Sequence, residues 1–143
     1  MKVDFYSLDN NINSHKFVVI QARYKDSWIF VRHKDRNTWE IAGGHIEDNE
    51  DVGSAAEREL YEETGAIDYQ LKPICDYSVE RDGDKSYGRL YFAEVYELSD
   101  LKYEIEEISL LEEIPDNLTY SQIQSHLFKK VVEYLKSNDE DII

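Results

Sequence analysis

The run Arg58-Glu59-Leu60-Tyr61-Glu62-Glu63 places four charges within six residues. Carboxylates this dense are either a solvated helix face or an enclosed cluster, and helix geometry separates the two. At about 100° per residue, Glu59, Glu62 and Glu63 fall within roughly 80° of Val52, beside Ala55 and Ala56. Ser54, Glu57, Arg58 and Tyr61 fall on the other side. The three acids therefore continue a small apolar face that packs on neighbouring structure, which places them in a cleft. Enclosed carboxylates repel one another and raise one another's pKa. A hard, oxygen-preferring cation such as Mg²⁺ or Mn²⁺ relieves that repulsion, with waters and substrate phosphates completing its shell. Arg58 stands four residues before Glu62 and is placed to pair with it and orient it. The pair Gly43-Gly44 lets backbone approach closely, so a carbonyl there is a further candidate ligand.

Such a cluster needs a helix fixed at both ends and a sheet beneath it. Asp51 is the expected N-cap of a helix over 51–64, and Gly65 its left-handed stop. Upstream, HKFVVIQARY at 15–24 and WIFVRH at 28–33 read as strands, with Lys25-Asp26-Ser27 as the turn between them. TWEI at 38–41 reads as a short third strand. Downstream, strands over 70–80 and 87–97 are joined by the turn Arg81-Asp82-Gly83-Asp84. A short strand at 108–111 precedes Pro115, and an amphipathic helix over 120–136 carries Ile123, Leu127, Val131 and Leu135 on one side. The order of strands, helix, strands, helix predicts an α+β fold: a mixed sheet with helices packed on it, and not a wound βαβ fold.

Composition narrows the function classes. The chain has 143 residues, suited to one domain, and 41% of them are hydrophobic, enough for a core. One domain is expected over 1–136, with 137–143 as a polar acidic tail. Cys75 is the single cysteine, which excludes an internal disulfide and a cysteine-based zinc site. With a lone thiol, no apolar run of spanning length and no apolar leader, the expectation is a cytoplasmic protein. Acids number 31 and bases 16, for a net charge of −15. That field repels nucleic-acid polymers and anionic membranes. It also repels a small phosphorylated substrate unless a cation bridges the two, so phosphate chemistry here calls for a divalent metal or a local group of Arg and Lys.

The segment Gly44–Ala66 resembles the Nudix box, G-x5-E-x7-R-E-U-x-E-E-x-G-U with U aliphatic. Gly44, Glu50, Arg58, Glu59, Leu60, Glu62, Glu63 and Gly65 stand at the required spacing. The last U is the small Ala66, and Ala42 stands where many members carry a proline; no charged position departs. The resemblance implies an α/β/α Nudix sandwich with the box helix and a C-terminal helix on the sheet. It implies that Glu59, Glu62 and Glu63 hold Mg²⁺ or Mn²⁺ with the Gly44 carbonyl, and that Glu50 and Arg58 brace loop to helix. It implies hydrolysis of a nucleoside diphosphate linked to another group, most simply a (deoxy)nucleoside triphosphate cut to monophosphate and pyrophosphate, with an oxidised purine such as 8-oxo-dGTP as one such substrate. The general base is Glu59 or a loop glutamate among Glu104, Glu106 and Glu107, of which Glu104 is preferred. The alternatives are a hydrolase of a nucleotide sugar or similar diphosphate, and a non-catalytic nucleotide-binding module. Modules of the latter kind usually lack a box carboxylate, and all are present here. The expected partner is a small-molecule nucleotide, bound by a monomer or homodimer.

Arg23, Arg32, Lys34 and Arg36 lie on the strands and loop leading to the box, and Arg23 and Arg36 are the candidate phosphate binders. The run HKDRNTWEIAGG and the turn Ile114–Thr119 resemble MutT-like members, in which an asparagine before the last helix reads the purine edge. Asn117 is the matching position; the plainer reading is that it turns the chain and caps the helix. Trp39, Tyr77 and Tyr91 are candidates to stack on a base, although strand aromatics more often belong to the core; His33 and His45 flank the expected site but read as structural or surface residues, and Cys75 as packed.

Overall fold

The computed structural model describes residues 1–100 and 105–138. It is an α+β sandwich: a seven-stranded mixed sheet with one helix against each face. The strands are β1 (Lys2–Tyr6), β2 (His15–Tyr24), β3 (Ser27–His33), β4 (Ala42–His45), β5 (Ala66–Arg81), β6 (Asp84–Leu98) and β7 (Ile105–Leu111). The helices are α1 (Val52–Thr64) and α2 (Ser121–Ser137). Along the sheet the order is β1-β5-β6-β2-β3-β7, with β4 paired to β2 beside this path. The β2–β6 pair is parallel and the others are antiparallel.

The site is created where β2 changes partners. Next to the turn, β2 pairs with β3 through Arg23 and Tyr24. Farther along, β3 departs and β4 takes its place, with Val18 opposite Gly44 and Val19 opposite Gly43. The expected strand at 38–41 is reduced to isolated bridges, Val31 to Glu40 and Trp39 to Leu118, and the strand itself begins at Ala42. Glycine makes this possible. A Cβ at Gly43 would stand 2.4 Å from the Val18 carbonyl oxygen, so only the bare backbone lets β4 lie against β2.

Helix α1 has the ends its sequence encodes. Asp51 accepts from the Ser54 N–H at 2.8 Å, and Gly65 sits at φ 80 and donates to the Tyr61 carbonyl. Its Ala55, Ala56 and Leu60 are fully buried on the sheet face formed by Val18, Ile20, Ile29, Val31, Ala93 and Val95. Helix α2 covers the opposite face with Leu127, Val131 and Leu135, all at 0% exposure, against Trp28, Phe30, Leu90 and Phe92. Each fully buried Leu or Val contributes about 1.5–3 kcal/mol relative to an exposed one. The structure adds the edge strand β1 and a 3-10 turn at Leu8–Asn10 to the sequence reading, and starts three strands earlier: β5 directly after Gly65, β6 at Asp84 and β7 at Ile105.

Candidate active site

The splay of β3 from β2, the C-terminal half of α1 and the start of α2 enclose one open cavity of about 1020 Å³. Its two ends differ in chemistry. One end is acidic, lined by Gly44, Glu47, Arg58, Glu59, Glu62 and Glu63. The other combines apolar side chains, Phe17, Val19, Ile41, Tyr77, Val79, Ile123 and Leu127, with the polar Gln124 and with Arg81, Asp82, Asp84 and Ser86 of the β5–β6 hairpin. Arg36 and Tyr120 stand between loop and helix in the same wall.

At the acidic end each carboxylate has a cationic or N–H partner. Glu63, the most enclosed, accepts from the Gly43 N–H at 2.7 Å and faces His33 Nε2 at 3.2 Å. Burial raises its pKa, against the pull of His33 and of the Gly43 N–H. Glu59 is raised to about 7, by burial first and by the Glu63 charge second, with Arg58 opposing both. Arg58 is the hub. It donates to Glu50 through Nε at 2.7 Å and Nη2 at 2.9 Å, and through Nη1 to Glu59 at 2.8 Å and Glu62 at 3.3 Å. It also caps the His45 carbonyl at 3.1 Å. Glu50 is lowered to about 2 by Arg58 and by the Glu47 N–H. Arg58 thus ties the loop before α1 to the helix, and the expected pair with Glu62 is one of its four carboxylate contacts, with Glu47 outside hydrogen-bond range at 3.8 Å.

The donor set suits a hard divalent cation. A Cβ at Gly44 would lie 2.6 Å from Glu59 Oε1, so the absent side chain leaves a cradle between the Gly44 backbone and that carboxylate. Among the described residues no three acidic or histidine side chains converge on a single point. Instead Arg58, His33 and the Gly43 N–H supply the positive partners of these carboxylates, and a cation would take over part of that role.

Of the other predicted residues, Arg36 lines the cavity, donating to Glu40 at 2.7 Å and to the Tyr120 hydroxyl at 3.1 Å. Arg23 does not reach it. Its side chain is buried on the α2 face over Trp28 and Phe92 and forks onto Glu94 of β6. Asn117 is also outside the cavity lining: its side chain donates to the Asn37 carbonyl at 3.3 Å, and the N-cap position of α2 is Tyr120, with no side-chain cap bond. Glu104 lies outside the described residues; Glu106 and Glu107 are in β7 beside β3. Cys75 is buried and its thiol is pushed up to about 11 by burial. The sequence reading missed His33, which lies against both Glu63 and Glu40 across the β3–β4 splay, and with it Glu40, and also Gln124, whose only signal was a polar residue inside the buried stripe of α2.

The box geometry agrees with the comparisons. The NUDIX domain model matches residues 11–137. The chain belongs to the Nudix family. A Bacillus subtilis (strain 168) protein named "Putative 8-oxo-dGTP diphosphatase YtkD" is 32% identical over 122 residues, 84% of this chain and 77% of that one. The structure of the Bacillus subtilis pyrophosphohydrolase BsRppH, in a Glu-to-Ala variant, matches with a TM-score of 0.81 at 27% identity, covering 95% of this chain and 90% of that one. The Nudix domain of Shewanella oneidensis NrtR, solved with ADP ribose, shares the fold alone, with a TM-score of 0.68 at 15% identity over 91% of this chain and 94% of that one. This Nudix chain is a hydrolase by family, and Nudix hydrolases generally use divalent metals. No helix among the described residues is long and apolar enough to cross a membrane.

Proposed function

We propose that this Nudix hydrolase cuts nucleoside triphosphates to the monophosphate and pyrophosphate with Mg²⁺ or Mn²⁺, oxidised purine nucleotides included. The observation that supports the reading is a single cavity that joins the Glu59, Glu62 and Glu63 carboxylates, where a cation-bound diphosphate would sit, to the apolar side chains of Phe17, Val19 and Ile123, against which a flat base would sit. The names of the Bacillus relatives, a diphosphatase and a pyrophosphohydrolase, support the same reaction.

Glu59, Glu62, Glu63 and the Gly44 carbonyl would hold the cation. Bound there, it would neutralise the diphosphate oxygens and make a water acidic enough to attack phosphorus near neutral pH. Glu59, the candidate general base, would accept the proton of the attacking water. Arg58 holds Glu59 and Glu62 in place and, through Glu50, fixes the loop that carries them. His33 and the Gly43 N–H fix the two oxygens of Glu63. Arg36, at the cavity wall, supplies a positive contact to phosphate in a chain of net charge −15.

The test is pyrophosphate release from a panel of nucleoside triphosphates with Mg²⁺, with Mn²⁺ and with EDTA. Activity restored by either metal and lost in EDTA is expected. Full activity in EDTA would remove the metal from the account.

A further inference from the structure

We propose that Gln124 reads the nucleobase, as a fixed hydrogen-bond donor that selects a ring edge carrying a carbonyl oxygen, as in a 6-oxopurine. This rests on the reading that a nucleoside occupies the apolar end of the cavity. Gln124 is only 6% exposed and lies on the buried face of α2, followed there by Leu127, Val131 and Leu135. Its Oε1 accepts from the Ile41 N–H at 2.8 Å. Because a backbone N–H can only donate, this bond fixes which end of the amide is oxygen and which is nitrogen.

Gln124 lines the cavity, and its amide nitrogen has no hydrogen-bond partner among the described residues. A side chain serving only to satisfy the Ile41 N–H needs no donor. An NH₂ held in a largely buried site without an acceptor is costly unless a ligand or water supplies one. The backbone that orients it is itself held, since Glu40 exchanges both of its hydrogen bonds with Val31. The donor is therefore presented on a rigid mount.

A second unpartnered polar group faces the same space. Tyr77 is 3% exposed, lines the cavity, and its hydroxyl has no hydrogen-bond partner among the described residues. It lies flat on β6 because residue 88 is glycine: a Cβ there would stand 2.6 Å from the Tyr77 oxygen. Burial raises the phenol pKa, so this hydroxyl keeps its proton. Phe17, Val19 and Ile123 supply apolar walls for a flat ring near these two groups. A carbonyl oxygen accepts from such donors. An exocyclic amino group turns its own hydrogens toward the amide and leaves it unpaired. A site built on donors rejects that edge far more strongly than a size difference would.

Inosine and adenosine monophosphates are suitable probes, differing at C6 and N1 on one ring edge. Their binding to the full chain is measured by calorimetry, with thermal melting as the check on folding. The wild type is expected to favour inosine monophosphate. Gln124→Glu keeps an acceptor for the Ile41 N–H and removes the donor, so the preference should fall by about tenfold to a hundredfold. The added charge repels both phosphates alike and cancels in the ratio. Gln124→Met, which removes both polar atoms, should lower the ratio as well, and stands in if the glutamate variant does not fold. A wild type that binds neither ligand or shows no preference overturns the proposal, as does a ratio unchanged in the variants. Hydrolysis plays no part in this readout. A protein that binds as expected but releases no pyrophosphate with Mg²⁺ would sink the proposed reaction and leave the base-reading role standing.

Discussion

Replacing Glu59 with glutamine should stabilise the metal-free protein. Burial and the Glu63 charge raise the Glu59 carboxyl from 4.5 to about 7, so the folded state disfavours its ionised form. Such a rise corresponds to about 3 kcal/mol against the charged form. The side chain keeps 12% exposure, and solvent screening reduces the penalty to about 1–3 kcal/mol. The penalty is absent below the unfolded value of 4.5, where the group is protonated in both states. It grows between 4.5 and about 7 and is complete above that. Glutamine keeps the shape and an acceptor for Arg58 and never carries the charge. In EDTA at about pH 8 the Glu59→Gln protein should melt about 3–10 °C higher than the parent, and at about pH 4 the two should coincide. Thermal unfolding followed by circular dichroism reads the difference. A variant less stable than the parent at the higher pH, or a difference independent of pH, would refute the argument that this carboxylate is held under strain for a cation.

Other substitutions probe the frame around it. Gly44→Ala places a methyl group 2.6 Å from Glu59 Oε1, and turnover should drop about a hundredfold with the melting temperature nearly kept; unaltered turnover would mean the cradle is not used. Gln21 is fully buried on the α2 face with neither amide atom bonded among the described residues, so Gln21→Met should add about 1–2 kcal/mol in urea unfolding, and a loss of stability would show that the amide is satisfied. Asp51→Ala removes the cap on the Ser54 N–H and should cost about 1 kcal/mol by the same assay, whereas no change would mean that water replaces it fully.

What the sequence discloses about this fold is mostly local. The ends of α1 follow from Asp51 and Gly65, and the inward turn of Glu59, Glu62 and Glu63 follows from helix geometry alone. Strand β4 escapes the same logic: its two glycines lower strand propensity, yet the close approach to Val18 requires them. Arg23 shows how charge misleads. It stands in a basic run, but strand alternation turns it to the α2 face, and Glu94, far away in sequence, neutralises it through the β2–β6 pairing. His33 and Gln124 belong to the cavity only because β3 leaves β2 and Ile41 meets α2, contacts that no spacing along the chain encodes.

The central claim is that the carboxylates at one end of this cavity direct the cutting of a nucleoside triphosphate between its first and second phosphates. Product analysis by phosphorus NMR with Mg²⁺, on the parent and on Glu63→Gln, tests it directly. The parent should yield nucleoside monophosphate and pyrophosphate in equal amounts, and the variant, which loses the charge that Gly43 and His33 hold in place, should be slower by orders of magnitude while still folded. Release of single phosphate by the parent, or equal turnover by the variant, would contradict the account.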